Sequence, residues 1–384
     1  MKDFLQKLRG YPALVLFFVC IFGFMILDLI CPDREISELE NKKLQQRPAF
    51  SLSSLTRNEW TAKYGDYVKD QVIFRDGMIS LQSRFETVLF QKCENNGVLI
   101  GDGAMLFTRM YSLTNSEKAL LPRNIQAVEE FAFRHPGQVT FLLAPSASLI
   151  YSDAVPLYAP LLDENSMLDD IFSQVPSAQV LDLRTLFGEN RDQYLYYRTD
   201  HHWTTNGAYL AYEEFCRQQG LTPFDREAHT AVEVPNFYGT SYSSSRYWGA
   251  VPDVITYYEL DNPLTVWNLS ADGTKTVLSK GDMYDYAKFD TYDKYSAFMR
   301  GNNGYSTIEG DGEGSILVIK DSYANCFVPY LTANYAQIDV VDFRNYNYGL
   351  DPLIADNDYD QILVLYSFDS FKSDPYLYRA GVKG

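Results

Sequence analysis

The sequence predicts an α/β fold in which a mostly parallel central sheet is flanked by helices. Residues 139–144, 180–183, 315–320, 338–341 and 361–366 are short β-prone apolar runs, as expected of strands covered on both faces. A helical pattern at 117–134 precedes the first of them and another at 208–219 falls between the second and third, and strands alternating with helices imply parallel pairing. At 384 residues the chain can form one large domain with an appendage.

The N-terminus places Lys2, Lys7 and Arg9 before an apolar run at 11–30, and Asp33, Glu35, Glu38 and Glu40 after it. Such a run approaches the ~20 residues that a helix needs to cross a bilayer, with Asp28 marking its outer edge. The charge order predicts a cytoplasmic N-terminus, with everything after the run outside. No small-x-small cleavage site is clear, so residues 1–31 read as a cytoplasmic stub and an uncleaved, single-pass transmembrane anchor in the cell membrane. Residues 32–95 read as a charged helical stalk, with amphipathic segments at 58–67 and 78–89 joined by a polar-aromatic turn at 70–76.

Residues 96–384 then form the α/β domain. It opens with a hairpin at 98–107 about Gly101-Asp102-Gly103. The helix at 117–134 and the strands at 139–144 and 180–183 follow, and then the helix at 208–219, which Thr204 or Thr205 can cap. Residues 224–314 break the rhythm. Rich in Tyr, Asp, Ser and Gly, they read as an irregular insertion near the mouth of the sheet. The strand at 315–320 is the strongest in the chain, and a helix at 323–332 is expected to lead from it to the strand at 338–341.

Composition narrows the function. A net charge of −17 argues against nucleic acid, since phosphate binding needs a basic face. Thirty tyrosines suit wet surfaces that touch sugars or partners. Five cysteines without CxxC or zinc spacing argue against a disulfide framework. There is no Walker A loop, dinucleotide fingerprint or HExxH. Asp200, His201 and His202 lack a second ligand cluster, so neither a metal nor a cofactor is expected.

Two stretches carry the chemistry. The run 198–207 puts two of the chain's four histidines beside Asp200 at the start of a helix. An Asp two residues before a His can accept an imidazole N–H and fix the tautomer, leaving the other nitrogen free to take a proton. The second stretch is Lys320-Asp321-Ser322-Tyr323-Ala324-Asn325, where the strongest strand gives way to a helix. Ligands bind at the carboxyl ends of parallel strands. A serine on such a turn exposes its hydroxyl beside backbone N–H groups able to hold an oxyanion.

Tyr197-Arg198-Thr199-Asp200-His201-His202-Trp203 resembles the signature of the DHHW proteins of bacterial cell surfaces. These are similar in turn to the SGNH-hydrolase-like domain of the alginate O-acetyltransferases AlgX and AlgJ. Further matching segments are 40–44, 70–76, 101–107, Ala144-Pro145, Gly239-Thr240-Ser241, 300–302, 320–325 and 342–346. The resemblance implies an SGNH-like fold for 96–384 and a triad of Asp200, His202 and Ser322. The Asp-x-His-Trp motif of AlgX and AlgJ needs no second histidine where this chain has His201, so either imidazole remains a candidate base. The Ser322 backbone N–H is the expected oxyanion donor. Asn302 and Asn325 are candidates to add a side-chain amide, and Arg344 and Tyr346 to line the pocket.

The expected activity is that of an extracytoplasmic O-acetyltransferase acting on a surface polysaccharide through an acyl-serine. The resemblance implies that a membrane-bound O-acyltransferase relays the acetyl group. A carbohydrate acetylesterase with the same triad and a non-catalytic surface scaffold are the alternatives.

Overall fold

The computed structural model describes residues 11–37, 42–270 and 274–381. The chain divides into two units, Met1–Lys92 with Arg246–Trp248 and Cys93–Ser245 with Gly249–Gly384. In the first, helices α1 (Pro12–Ile30), α2 (Glu59–Gln71) and α3 (Arg75–Arg84) follow in order. The turn between α2 and α3 is organised by Asp70, whose carboxylate accepts Lys42 Nζ and the Gln45 N–H, each at 2.9 Å.

Among the described residues no helix is long and apolar enough to cross a membrane, which corrects the transmembrane helix expected at the N-terminus. Helix α1 is 19 residues long, about 28 Å at 1.5 Å per residue. Its last turn also carries Asp28, whose carboxylate accepts the Ile73 N–H at 3.2 Å. The flanking Lys2, Lys7, Arg9, Glu38 and Glu40, with Asn41 of the matching segment 40–44, lie outside the described residues.

The second unit begins with a short antiparallel hairpin, β1 (Val98–Ile100) and β2 (Leu106–Thr108). Helix α4 (Asn115–Arg134) opens on a capping box, Thr114 with Glu117, worth about 1 kcal/mol. Strand β3 (Val139–Ala144), helix α5 (Glu164–Ser173), strand β4 (Gln179–Asp182) and helix α6 (Thr205–Gln219) follow. Strands β5 (Ala231–Phe237) and β6 (Asp253–Tyr258) pair with each other. The remaining strands are β7 (Leu264–Leu269), β8 (Lys275–Gly281), β9 (Tyr305–Glu309), β10 (Ser315–Lys320), β11 (Gln337–Val341) and β12 (Gln361–Ser367).

The eight-stranded sheet runs β8-β7-β9-β11-β10-β12-β3-β4. From β11 to β4 every pairing is parallel, and the other three strands are added antiparallel. Alternate residues of the parallel strands feed two cores. Leu142, Val318 and Leu363 face Trp203, Tyr212 and Phe327, whereas Phe141, Leu317 and Val364 face Phe131, Phe368 and Phe371. Continuous apolar sequence is the consequence of burial on both sides.

Residues 224–314 are more ordered than expected, since they supply the β5–β6 pair and three strands of the main sheet. The expected helix at 323–332 is instead a pair of 3₁₀ turns, Ser322–Cys326 and Val328–Ala333. Pro329 cannot donate the i→i−4 bond that an α-helix needs there, and its ring would crowd the carbonyl four residues earlier. Many tyrosines also prove interior rather than wet, among them Tyr196, Tyr197, Tyr212, Tyr359 and Tyr366. All five cysteines are free thiols.

Candidate active site

Strand β10 ends at Lys320, and the Asp321 carboxylate shapes the turn beyond it. One oxygen accepts the Tyr323 N–H at 2.8 Å, and the other takes the Ser367 N–H and hydroxyl at 2.9 and 2.7 Å. Adjacent parallel strand ends, β10 and β12, are thereby tied together. Ser322 opens the 3₁₀ turn, so its N–H has no acceptor within the turn. Its carbonyl accepts the Tyr295 hydroxyl at 3.0 Å.

The histidine segment is fixed independently. Tyr196 and Trp203 form an isolated antiparallel bridge, and Asp253 accepts the backbone N–H groups of Arg198 and Thr199 at 2.9 and 2.8 Å. Trp203 is fully buried and donates its indole N–H to the Tyr323 carbonyl at 2.9 Å. Thr204 caps α6 through the Gly207 N–H at 3.1 Å.

These elements bring Asp200, His202 and Ser322 together. The Ser322 hydroxyl lies 2.9 Å from His202 Nε2. His202 Nδ1 meets Asp200 Oδ1, which also accepts the His202 backbone N–H at 3.0 Å. The second Asp200 oxygen takes the Thr240 N–H at 2.7 Å and the Thr240 hydroxyl at 3.0 Å. Burial pushes the Asp200 carboxyl up, but the imidazoles of His202 and His201 and these bonds outweigh it and hold it well below the usual carboxylate range. An anchored carboxylate keeps the His202 proton on Nδ1 and leaves Nε2 free to receive the serine proton. Gly239 permits this packing, for a Cβ there would stand 2.2 Å from Asp200 Oδ2.

His201 occupies a different niche. Its Nδ1 donates to the Thr240 hydroxyl at 2.6 Å, because that hydroxyl spends its own proton on Asp200. The side chain is 36% exposed. Partial burial and the neighbouring His202 ring lower its imidazole from the ordinary value. Asp200, His201 and His202 offer possible metal-ligand atoms within 4.8 Å of one another, although the Nδ1 atoms of both rings are already engaged.

The remaining candidates separate. Asn325 is buried with both amide atoms used, accepting Lys320 Nζ at 2.7 Å and donating to Asn302 Oδ1 at 3.0 Å. Arg344 is locked to Asp342 through Nε at 2.9 Å and Nη2 at 2.5 Å. Tyr346 is buried and donates to the Gly349 carbonyl at 3.2 Å. Only Asn302 keeps an amide nitrogen available.

Sequence reasoning missed Tyr295, which stacks on His202 with centroids 3.9 Å apart and planes at 16°. Gly239-Thr240-Ser241, known from the sequence only as a segment of the family resemblance, proves to anchor Asp200 through Thr240. Lys320 went unassigned. It is buried beside Asp342 Oδ2 at 3.3 Å, and burial pulls its ammonium below the ordinary lysine value.

Beside His201 a narrow cleft with about 30 Å³ of accessible space is lined by Phe107, Met110, Ser146, Tyr323 and Asp369. Ser146 of this lining is held by the buried Glu164, which accepts its N–H at 2.8 Å and its hydroxyl at 2.5 Å. Burial raises this carboxyl from its ordinary 4.5 to about 7. The native state therefore holds a proton that the unfolded chain releases, and stability falls as pH rises through that window, by about 3 kcal/mol. Denaturant melts at pH 5 and pH 8 should show Glu164→Gln losing less stability between the two than wild type does. An equal loss in both proteins would exclude Glu164 as the source.

The chain resembles the DHHW family. Residues 174–341 match the model of the DHHW proteins, and residues 98–236 match that of the SGNH hydrolase-like domain of acetyltransferase AlgX. The two matched spans together include Asp200, His202 and Ser322. Among solved structures, a DHHW family protein from Eubacterium siraeum superposes with a TM-score of 0.63 at 21% identity, over 75% of this chain and 95% of that one. PatB1 of Bacillus cereus carrying a sulfonyl adduct gives a TM-score of 0.58 at 21% identity, over 73% and 97% of the two chains. At these identities the likeness is one of fold. No curated protein matches the chain in sequence.

Proposed function

We propose that the protein is an O-acetyltransferase that modifies a cell-surface polysaccharide through an acetyl-Ser322 intermediate. The observation that carries this reading is the line from Asp200 through His202 to Ser322, with Nε2 2.9 Å from the hydroxyl. His202 removes the Ser322 proton as Oγ attacks the donor's acetyl carbonyl, and the Ser322 N–H steadies the oxyanion. His202 then returns the proton to the departing group. A sugar hydroxyl next gives its proton to His202 and takes the acetyl group, and His202 passes that proton to the departing Ser322 Oγ, which restores the free enzyme. The match to the AlgX acetyltransferase domain supports a sugar as acceptor in place of water.

The reading also places the domain outside the cytoplasm, at the cell membrane, where an acetyl group relayed by a membrane-bound O-acyltransferase can reach it. Support for contact with the membrane comes from the exposed apolar side chains of α1, such as Phe17, Phe22 and Ile26, and the outside placement follows from a cell-surface acceptor. Attachment to the membrane, not a crossing, is what α1 supports.

An activated acetyl ester supplied with and without oligosaccharides tests the chemistry. Acetyl-Ser322 should form in both cases, and acetylated sugar should appear when oligosaccharide is present. Release of free acetate alone, with every acceptor tried, would identify an esterase. Protease added to intact cells should digest the domain, and an intact domain would overturn its placement outside.

A further inference from the structure

A second groove lies at the same end of the sheet as Ser322, on the antiparallel side. It holds about 390 Å³ of accessible space between the ends of β7 and β9 and the segment after β11, towards the lower end of the size range of small-molecule sites. Asparagines and aromatics dominate its lining, with Trp267, Asn268, Asn303, Asn345, Asn347 and Tyr348 foremost. Every lining residue is uncharged, in a chain whose net charge is −17.

The amides are only partly used within the protein. Asn303 Nδ2 donates to the Met299 carbonyl at 2.9 Å and Asn345 Nδ2 to the Asn302 carbonyl at 2.9 Å, which leaves their Oδ1 atoms to the groove. Asn302 spends Oδ1 on Asn325 and keeps Nδ2. The Asn268 and Asn347 side chains are exposed and have no protein partner among the described residues. An amide offers a donor and an acceptor side by side, which matches neighbouring sugar hydroxyls. Trp267 and Tyr348 add the apolar faces on which sugar rings settle. Nothing in the lining would neutralise a carboxylate or sulfate.

Geometry connects this groove to the reaction. Ile319 pairs with Val341, Val341 with Tyr305, and Tyr305 with Trp267. Three strand spacings separate the ends of that row, roughly 14 Å at about 4.8 Å each. Asn302 bridges the interval, lining the groove while its Oδ1 touches Asn325, three residues beyond Ser322.

We propose that this asparagine-rich groove is the acceptor subsite, holding uncharged sugar units of a glycan while a hydroxyl farther along the chain reaches acetyl-Ser322. The proposal rests on the transferase reading, and the experiment separates the two. Calorimetry with hexaoses of glucose, mannose, N-acetylglucosamine and galacturonic acid should show binding of a neutral hexaose. The double variant Asn268→Ala/Asn347→Ala should weaken it at least tenfold, yet hydrolysis of an activated acetyl ester without sugar should be unchanged. Failure of all neutral hexaoses to bind, preference for the galacturonate, or binding indifferent to the double variant would overturn the subsite. If sugar binding depends on the two asparagines but acetyl-Ser322 never forms, the subsite stands and the transferase reading falls. If acetyl-Ser322 forms and acceptor binding ignores the asparagines, the transferase reading stands and the subsite falls.

Discussion

Ser322→Ala is expected to abolish the acyl-enzyme and to lower acetyl-ester turnover by about 10⁴-fold or more. Among the hydroxyls of the described residues, Ser322 Oγ is the one hydrogen-bonded to His202 Nε2. Its turn is held by Asp321 and Tyr295 through bonds that do not use the serine side chain. Alanine should therefore leave the thermal melt nearly unchanged while removing the nucleophile. Intact-mass analysis after exposure to an activated acetyl ester or a sulfonyl fluoride reads the result directly. A stoichiometric adduct on the Ser322→Ala protein would show that another group is being acylated and that the assigned chemistry is wrong.

His202→Gln should cost nearly as much, about 10⁴-fold in kcat, because base and nucleophile act as one unit. His201→Gln should cost tenfold or less. The contrast follows from position. The His202 ring lies between Asp200 and Ser322 and stacks on Tyr295. His201 reaches Asp200 through the Thr240 hydroxyl, and its ring is far more open to solvent. Steady-state rates of the two variants, measured with circular dichroism as a check on folding, decide between the imidazoles. Equal losses in both, or the larger loss at His201, would move the base to the other ring.

Much of this arrangement was legible because it is local. Asp200 and His202 are two residues apart, and Ser322 follows a six-residue strand whose apolar run has no plausible place outside a covered sheet. Tyr295 and Thr240 were not legible in the same way. Neither has a sequence pattern that announces contact with a ring or carboxylate tens of residues distant, and only the folded sheet delivers them. Strands β7 and β8 escaped notice because they lie at the antiparallel edge, where Asn268, Thr276 and Lys280 face solvent among the apolar residues. Mixed polarity of that kind resembles an irregular loop. At 323–332 the apolar pattern fits an α-helix, yet Pro329 permits only tighter turns.

Trp203 joins the two halves of the constellation more firmly than proximity alone would. Its indole N–H is fastened to the carbonyl of Tyr323, the residue just after the nucleophile, while its own backbone continues from His202. The strut makes the reactive pair a rigid clamp whose gap is set by one aromatic side chain instead of by two separate loops. Heating should therefore preserve the spacing until the sheet itself gives way, so that catalytic competence disappears in step with global melting and not before it.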